Sequence, residues 1–253
     1  MLFHEFGDPE APTLLLVHGA DTVWNRSFAA AIPVLAQTYR VVAVGIDGFD
    51  PEEDTEYENA VVEAERMCRY IADQLGGELF AAYGQSLGCH PLFYLALDRR
   101  VRVRHVIFDG AAHLNTGVLT PITARLEAPF ARLAARGGLR RFASVLGLRE
   151  HDDEHYARVI HTGATERSYR NTAYSNAAWC RDLATVQPRP GVHAACWFGS
   201  LERFTRATRK HLGRVFPGCE QRTFEGLAHA ELASLPDRLR AEIRRFTTAD
   251  SIV

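Results

Sequence analysis

The stretch Gly84-Gln85-Ser86-Leu87-Gly88 decides the fold of this chain. An apolar run at 78–83 precedes it, and a run with helical spacing at 90–97 follows it. This order places the serine where a strand turns sharply into a helix, and the flanking glycines remove Cβ atoms that would clash there. Such a turn exposes the hydroxyl and sets its backbone at a helix N-terminus, which favours a nearby negative charge. Taken alone, the pattern also fits a serine that only caps a helix.

Composition limits the classes of protein that the chain can represent. Its 253 residues and 47% hydrophobic content suit one α/β domain with an insertion, or at most two small domains. The net charge of −2 gives no bias toward nucleic acid or a membrane surface. The 5 cysteines include no C-x-x-C pair, which argues against zinc ribbons and redox motifs. With no evident signal peptide or long apolar run, we predict a cytoplasmic protein without membrane span, metal or cofactor.

Short apolar runs alternate with helical patterns along most of the chain. The runs are at 13–17, 40–44, 79–83, 103–108, 192–198 and 221–224. The helical patterns are at 25–37, 57–75, 86–98, 204–212 and 236–246. Runs that are apolar on both faces are typical of parallel strands buried between helix layers. We therefore predict an α/β fold with a doubly wound, mostly parallel sheet, and an extra edge strand at 2–6.

Residues 112–187 break this alternation. They contain four short helical patterns, at 121–135, 139–148, 154–162 and 165–183, and no convincing buried strand. We predict a helical cap over the carboxyl edge of the sheet, where open α/β sheets bind ligands, with a core formed by 1–111 and 188–253. An ordinary helical subdomain without substrate contacts is the alternative. The aromatic residues that could line an apolar acyl pocket in the cap, or form the cap's own core, are Phe130, Phe142, Tyr156, Tyr174 and Trp179.

Nucleophilic catalysis by a serine requires a base, an acid that orients the base, and donors for the oxyanion. The candidate base is His229, which follows the last apolar run and precedes the final helical pattern. The candidate acid is Glu202, just past the run at 192–198. Asp109 directly follows the preceding run and could reach the same histidine, so it is the alternative acid. All of these positions follow strands, so they should meet at one edge of the sheet.

The loop after the first inner strand should complete the site. Its backbone N–H at Ala20, with that of Leu87 after the serine, is the predicted oxyanion hole. His18 should brace this loop, and Asp21 should point away from the oxyanion and cap the next helix. The candidate substrate-pocket residues are Gly19, Asp21, Trp24, Tyr174 and Trp179.

These motifs resemble the α/β-hydrolase superfamily. The matching segments are 18–20, 84–88, 199–202 and 226–229, in the order serine, acid, histidine that the superfamily uses. The resemblance runs from about 13 to 246 and implies a hydrolase with a nucleophile elbow and a variable helical cap. Two features depart from it. Many members carry an Asp-x-x-Gly-x-Gly turn where this chain has Gly45-Ile46-Asp47-Gly48-Phe49-Asp50, and the triad acid is Glu instead of the commoner Asp.

The resemblance implies a serine hydrolase that acts on a small-molecule carboxylic ester or acyl substrate through an acyl-enzyme. A serine nucleophile argues against the haloalkane dehalogenase and epoxide hydrolase branches, which use aspartate at that position. Amidase, thioesterase, carbon–carbon bond hydrolase and acyltransferase activities use the same machinery and stay open. Two other hypotheses are a ligand-binding member without turnover, and a cap that binds a partner protein and forms a homodimer.

Overall fold

The computed structural model describes residues 1–20, 22–111, 116–135, 163–203 and 205–248. Its centre is a 7-stranded sheet in the order β1-β3-β2-β4-β5-β6-β7. The strands are β1 (Leu2–Phe6), β2 (Thr13–Val17), β3 (Arg40–Gly45), β4 (Glu78–Gln85), β5 (Arg102–Asp109), β6 (His193–Gly199) and β7 (Glu220–Phe224). β1 pairs antiparallel with β3, and the other neighbours are parallel. This confirms the predicted fold class and the edge strand.

Helices cover both faces of the sheet because its inner strands are apolar on both sides. In β2, Leu15 belongs to one buried cluster, whereas Leu14 and Leu16 belong to the other. This split follows from the alternation of side chains along a strand. The helices are α1 (Trp24–Ser27), α2 (Ala31–Leu35), α3 (Ala60–Gln74), α4 (Cys89–Leu97), α5 (Thr120–Ala135), α6 (Glu166–Thr185), α7 (Thr205–Val215) and α8 (Pro236–Thr248).

Two of the differences from the sequence prediction have identifiable local causes. The single helix predicted at 25–37 is divided into α1 and α2. Pro33 explains the division, because a proline ring in a continuous helix would clash with the carbonyl four residues earlier. The helix predicted from 57 begins as α3 at Ala60, because the Asn59 side chain accepts the N–H groups of Val61 and Val62 at 3.0 and 3.1 Å.

The predicted cap contributes α5 and α6 to the described structure. Its helical patterns at 139–148 and 154–162, with Phe142 and Tyr156, lie outside the described residues. Helix α6 is hydrogen-bonded to the start of α3 and to the segment before it. Ser175 Oγ accepts the N–H of Ala60, the first residue of α3, at 2.9 Å, and the Asn171 amide donates to the Tyr57 carbonyl at 2.8 Å. None of the helices in the described ranges combines the length and apolarity needed to cross a bilayer.

Candidate active site

Ser86 occupies a strained turn between β4 and α4. Its φ is +50°, a left-handed conformation that is uncommon for a residue with a side chain. A Cβ on Gly84 would lie 2.8 Å from the Gly88 carbonyl oxygen, and one on Gly88 would lie 2.5 Å from that of His18. Both approaches are too close for any other residue, so glycine is required on each side of the serine. The structure thus has the strand, turn and helix that the motif predicts.

The loop after β2 lies directly beside this serine. A Cβ on Gly19 would be 3.2 Å from the Cβ of Ser86 and 3.9 Å from its Oγ. His18 is fully buried and holds this loop in place through two hydrogen bonds. Its Nε2 accepts the Ile46 N–H at 3.1 Å, so the proton is on Nδ1, which donates to the Gly19 carbonyl at 2.8 Å. The predicted bracing function of His18 has this structural basis.

The structure pairs His229 with Glu202. The imidazole Nδ1 lies 2.7 Å from Oε2 of the carboxylate, whose other oxygen accepts the Gly199 N–H at 2.8 Å. The Glu202 side chain is 4% exposed and that of His229 is 26% exposed. The carboxylate is therefore held on both oxygens, while the imidazole stays accessible. This is the arrangement of a base with its orienting acid.

A hydrogen bond connects the histidine loop to the serine turn. Gln85 Nε2, one residue before Ser86, donates to the carbonyl of Ala230, one residue after His229, at 2.8 Å. Ala230 has a φ of +55°, so the loop bends sharply at the point of contact. Sequence reasoning missed Gln85, because the motif treats its position as variable. Its one signal was an amide side chain at the end of an otherwise apolar strand.

Asp109, the alternative acid, lies close to this pair but has a different partner. Its side chain is buried at 2% exposure and accepts a hydrogen bond from the Tyr83 hydroxyl. The next residue, Gly110, has a φ of +68°, and a Cβ there would lie 2.8 Å from Cε1 of His229. Among the hydrogen bonds given for the described residues, the carboxylate that bonds to the His229 imidazole is therefore that of Glu202, and Asp109 bonds to Tyr83.

Electrostatics couple the three titratable groups. Burial and then the negative charge of Glu202 raise the pKa of Asp109 to about 7, although the Tyr83 hydrogen bond opposes this. Burial lowers the pKa of His229, but the charge and hydrogen bond of Glu202, with a smaller contribution from Asp109, outweigh it. The pKa of His229 is therefore above its ordinary value of 6.5.

The other candidate pocket residues lie in different surroundings. Trp24 stacks on His4 of β1 with ring centroids 4.0 Å apart. Trp179 is fully buried and stacks on His90 of α4 at 4.3 Å, so it occupies a core position. Tyr174 is 45% exposed on α6. Asp21 lies outside the described residues.

Two acidic residues of the loop after β3, Asp47 and Asp50, are buried. Asp47 is buried and pairs with Arg66, which also contacts the buried Glu63 at 2.9 Å. Burial and then the charge of Asp47 raise the pKa of Glu63 to about 8.

In the described part of the chain, one group has metal-ligand spacing, with donor atoms within 4.8 Å of one another: His4, Asp50 and Glu52. The 3.2 Å hydrogen bond between His4 and Asp50 accounts for their proximity without an ion.

A model of the alpha/beta hydrolase fold family matches residues 12–150, more than half of the chain. The chain therefore belongs to the alpha/beta hydrolase fold family, as the motifs predicted. An alpha/beta hydrolase family protein from Desulfitobacterium hafniense has a similar structure. Its TM-score is 0.87 at 21% identity, over 96% of this chain and 99% of that chain.

Two further solved structures share the fold at lower similarity. A thermophilic esterase from Thermogutta terrifontis has a TM-score of 0.72 at 17% identity, over 97% of this chain and 92% of that chain. Potato (Solanum tuberosum) epoxide hydrolase I has a TM-score of 0.68 at 17% identity, over 96% of this chain and 94% of that chain. At such identities the likeness shows the fold alone, so the reaction has to be inferred from the residues of the site.

Proposed function

We propose that this chain is a serine hydrolase that cleaves carboxylic esters through an acyl-enzyme. Ser86 is the nucleophile, His229 the general base and Glu202 the acid that orients it. The main support for the proposal is the 2.7 Å contact between His229 Nδ1 and Glu202. The loop that carries His229 is also hydrogen-bonded to the strained turn of Ser86, through Gln85 and Ala230. A serine at this position also favours acyl transfer over epoxide opening, which in this fold proceeds through an aspartate ester.

The proton inventory of the site supports this assignment. A hydrogen bond from Nδ1–H to Glu202 leaves Nε2 of His229 as the nitrogen that takes the Ser86 proton during attack on the acyl carbon. The imidazolium then returns that proton to the departing alcohol as the ester bond breaks. In the second half-reaction, water gives a proton to Nε2 and attacks the acyl carbon. The imidazolium then returns that proton to Ser86 Oγ as the acyl–oxygen bond breaks, which releases the carboxylic acid and restores the serine. The charge of Glu202 stabilises the imidazolium in both steps.

The oxyanion hole is assigned to the backbone N–H groups of Leu87 and Ala20. Leu87 follows the nucleophile in the first turn before α4, where backbone N–H groups lack partners within the helix. His18 holds the carbonyl of Gly19, and in a trans peptide the next N–H points to the opposite side. The Ala20 N–H is therefore directed away from His18. Together the two donors can stabilise the negative oxygen that forms when Ser86 attacks.

A substrate panel tests the proposed function and its alternatives together. p-Nitrophenyl esters of graded chain length, with matched anilides and thioesters, report which leaving group the site accepts. We expect turnover of the esters, with medium acyl chains preferred if the cap lines an apolar pocket. A sharp optimum at acetyl would argue against that pocket. Absence of turnover across the whole panel would contradict the esterase proposal and favour a ligand-binding member.

The pH dependence of kcat/KM should report the ionisation of His229. The imidazole must be neutral to accept the serine proton, so activity rises with pH through its pKa, which lies above 6.5. In the Asp109→Asn variant, one negative charge that raises this pKa is absent. The inflection should therefore move to lower pH, with activity at high pH retained within about tenfold. An unchanged or higher inflection in this variant would show that Asp109 does not act on the imidazole.

Gln85 is expected to position the histidine loop. The Gln85→Leu variant keeps a similar volume but cannot donate to the Ala230 carbonyl. We expect kcat to fall by about tenfold with KM nearly unchanged, because the imidazole loses a support and not a substrate contact. Steady-state kinetics with p-nitrophenyl butyrate measure both constants. A change confined to KM would place Gln85 in substrate binding instead.

A further inference from the structure

Gly110, the residue that follows β5, lies directly against the His229 imidazole. A Cβ placed on Gly110 would be 2.8 Å from Cε1 of this imidazole, 2.9 Å from its Nδ1 and 3.4 Å from Oε2 of Glu202. Carbon atoms in ordinary contact are about 3.5–4.0 Å apart. The atoms that a side chain at position 110 would meet are therefore those of the hydrogen bond between His229 and Glu202.

The surroundings of Gly110 decide which group would move if a side chain were added. The Gly110 N–H donates to the Trp197 carbonyl of β6 at 3.0 Å, which fixes the backbone at the end of the sheet. The Glu202 side chain is 4% exposed and accepts the Gly199 N–H at 2.8 Å, so it is fixed as well. The imidazole is 26% exposed and is held on this side only by Glu202. A side chain at position 110 would therefore displace the imidazole.

We propose that Gly110 is a positioning residue for the His229–Glu202 pair, because its lack of a side chain leaves the space in which the imidazole is aligned. This inference rests on the proposed function, in which His229 takes the Ser86 proton. Gly110 also has a φ of +68°, which favours glycine whatever lies nearby. The contacts with the imidazole are a separate requirement, and a comparison with another glycine of the same conformation isolates it.

Gly76 is the matched control for the conformation. It lies in the turn between α3 and β4, and its φ is +66°. In the part of the chain that the structure describes, no atom beyond its chain neighbours lies within 4 Å of a Cβ placed there. Gly76→Ala and Gly110→Ala therefore share the same backbone strain. Circular dichroism should show both variants folded, with melting temperatures lowered by similar amounts.

The kinetics of these two variants should differ. With a methyl group at position 110, Cε1 of the imidazole has to move by about 0.7 Å or more to reach ordinary contact. We expect Gly110→Ala to lower kcat for p-nitrophenyl butyrate by about 30- to 100-fold, with KM nearly unchanged. Gly76→Ala should retain the wild-type kcat within about twofold. Equal kcat values in the two folded variants would overturn the proposal.

A double-mutant cycle tests whether Gly110 acts through the pair. If the added methyl group lowers kcat by disturbing the hydrogen bond to Glu202, it should have little effect once that bond is absent. In the Glu202→Ala background, Gly110→Ala is therefore expected to lower kcat by no more than about threefold further. The same loss in both backgrounds would show an effect independent of Glu202 and would contradict the positioning role.

Nitrogen NMR of protein labelled at its histidines gives a readout that does not depend on turnover. The hydrogen bond to Glu202 holds the proton of the neutral His229 imidazole on Nδ1, whereas an imidazole without such a partner populates both tautomers. The His229 signals are identified by their absence in His229→Gln. We expect the Nδ1–H tautomer in wild type and Gly76→Ala, and a mixture of tautomers in Gly110→Ala.

These spectra also separate this inference from the proposed function. An unchanged tautomer in Gly110→Ala would overturn the inference, even in a variant of low activity. A wild-type protein without ester turnover would contradict the proposed function. The change of tautomer between wild type and Gly110→Ala would then still decide whether Gly110 aligns the imidazole on Glu202.

Discussion

Replacing Ser86 with alanine is expected to lower kcat/KM for p-nitrophenyl butyrate by about 10⁴-fold or more. Without the hydroxyl no acyl-enzyme forms, and only binding and the oxyanion donors can assist direct attack by water. The fold should persist, because the variant keeps both glycines of the turn and alanine meets the same backbone strain as serine at this φ. Circular dichroism and thermal melting check the fold, and steady-state kinetics measure the loss.

The matched control for this variant is Cys89→Ala, three residues further along the chain. Cys89 is fully buried, and its thiol donates to the Gly84 carbonyl at 3.1 Å. Burial and then the charge of Asp109 raise the pKa of this thiol well above its ordinary value, so it is not a thiolate nucleophile. Cys89→Ala should retain activity within about threefold. Wild-type activity in Ser86→Ala, or its loss in a well-folded Cys89→Ala, would contradict the assignment.

Glu202→Gln is expected to lower kcat by about 10³- to 10⁴-fold. The two carboxylate oxygens accept two donors, the Gly199 N–H and the Nδ1–H of His229. An amide has one oxygen, so one of these donors would face an NH₂ group. The variant therefore loses the correct tautomer or the fixed orientation of the imidazole, as well as the negative charge that stabilises the imidazolium.

Asp109→Asn is the control that separates the two candidate acids. Asp109 accepts from the Tyr83 hydroxyl, a bond that an asparagine oxygen can retain, so kcat should fall by no more than about tenfold. Parallel kinetics of the two variants with one ester give the comparison. A larger loss in Asp109→Asn than in Glu202→Gln would make Asp109 the catalytic acid and require the histidine loop to move.

The fold could be predicted because its signals are local. Continuous apolar runs identify parallel strands, and the glycines on each side of Ser86 mark the turn between a strand and a helix. The division of α1 from α2 was missed because the helical pattern of apolar residues outweighed the effect of Pro33. Which face of α5 would be buried could not be predicted, because its small and its large apolar residues both have helical spacing.

The candidate site shows where local signals end. Glu202 and Asp109 both follow strands at the same edge, so the sequence kept Asp109 as an alternative to Glu202. In the structure, the carboxylate that is hydrogen-bonded to His229 is that of Glu202. The bond between Gln85 and Ala230 joins positions far apart in the chain, which no local pattern indicates. Trp179 was a candidate for the cap pocket because it lies in the predicted cap segment. In the structure it is buried and stacks on His90 of α4, a contact between distant parts of the chain that the sequence pattern does not indicate.

The central claim is that Ser86 is an activated nucleophile, and covalent labelling tests it most directly. A fluorophosphonate probe should react with the wild-type protein, and peptide mass spectrometry should locate one adduct on Ser86. Labelling should be absent in Ser86→Ala and strongly slowed in His229→Ala. A folded wild-type protein that resists the probe, or an adduct that persists in Ser86→Ala, would contradict the account.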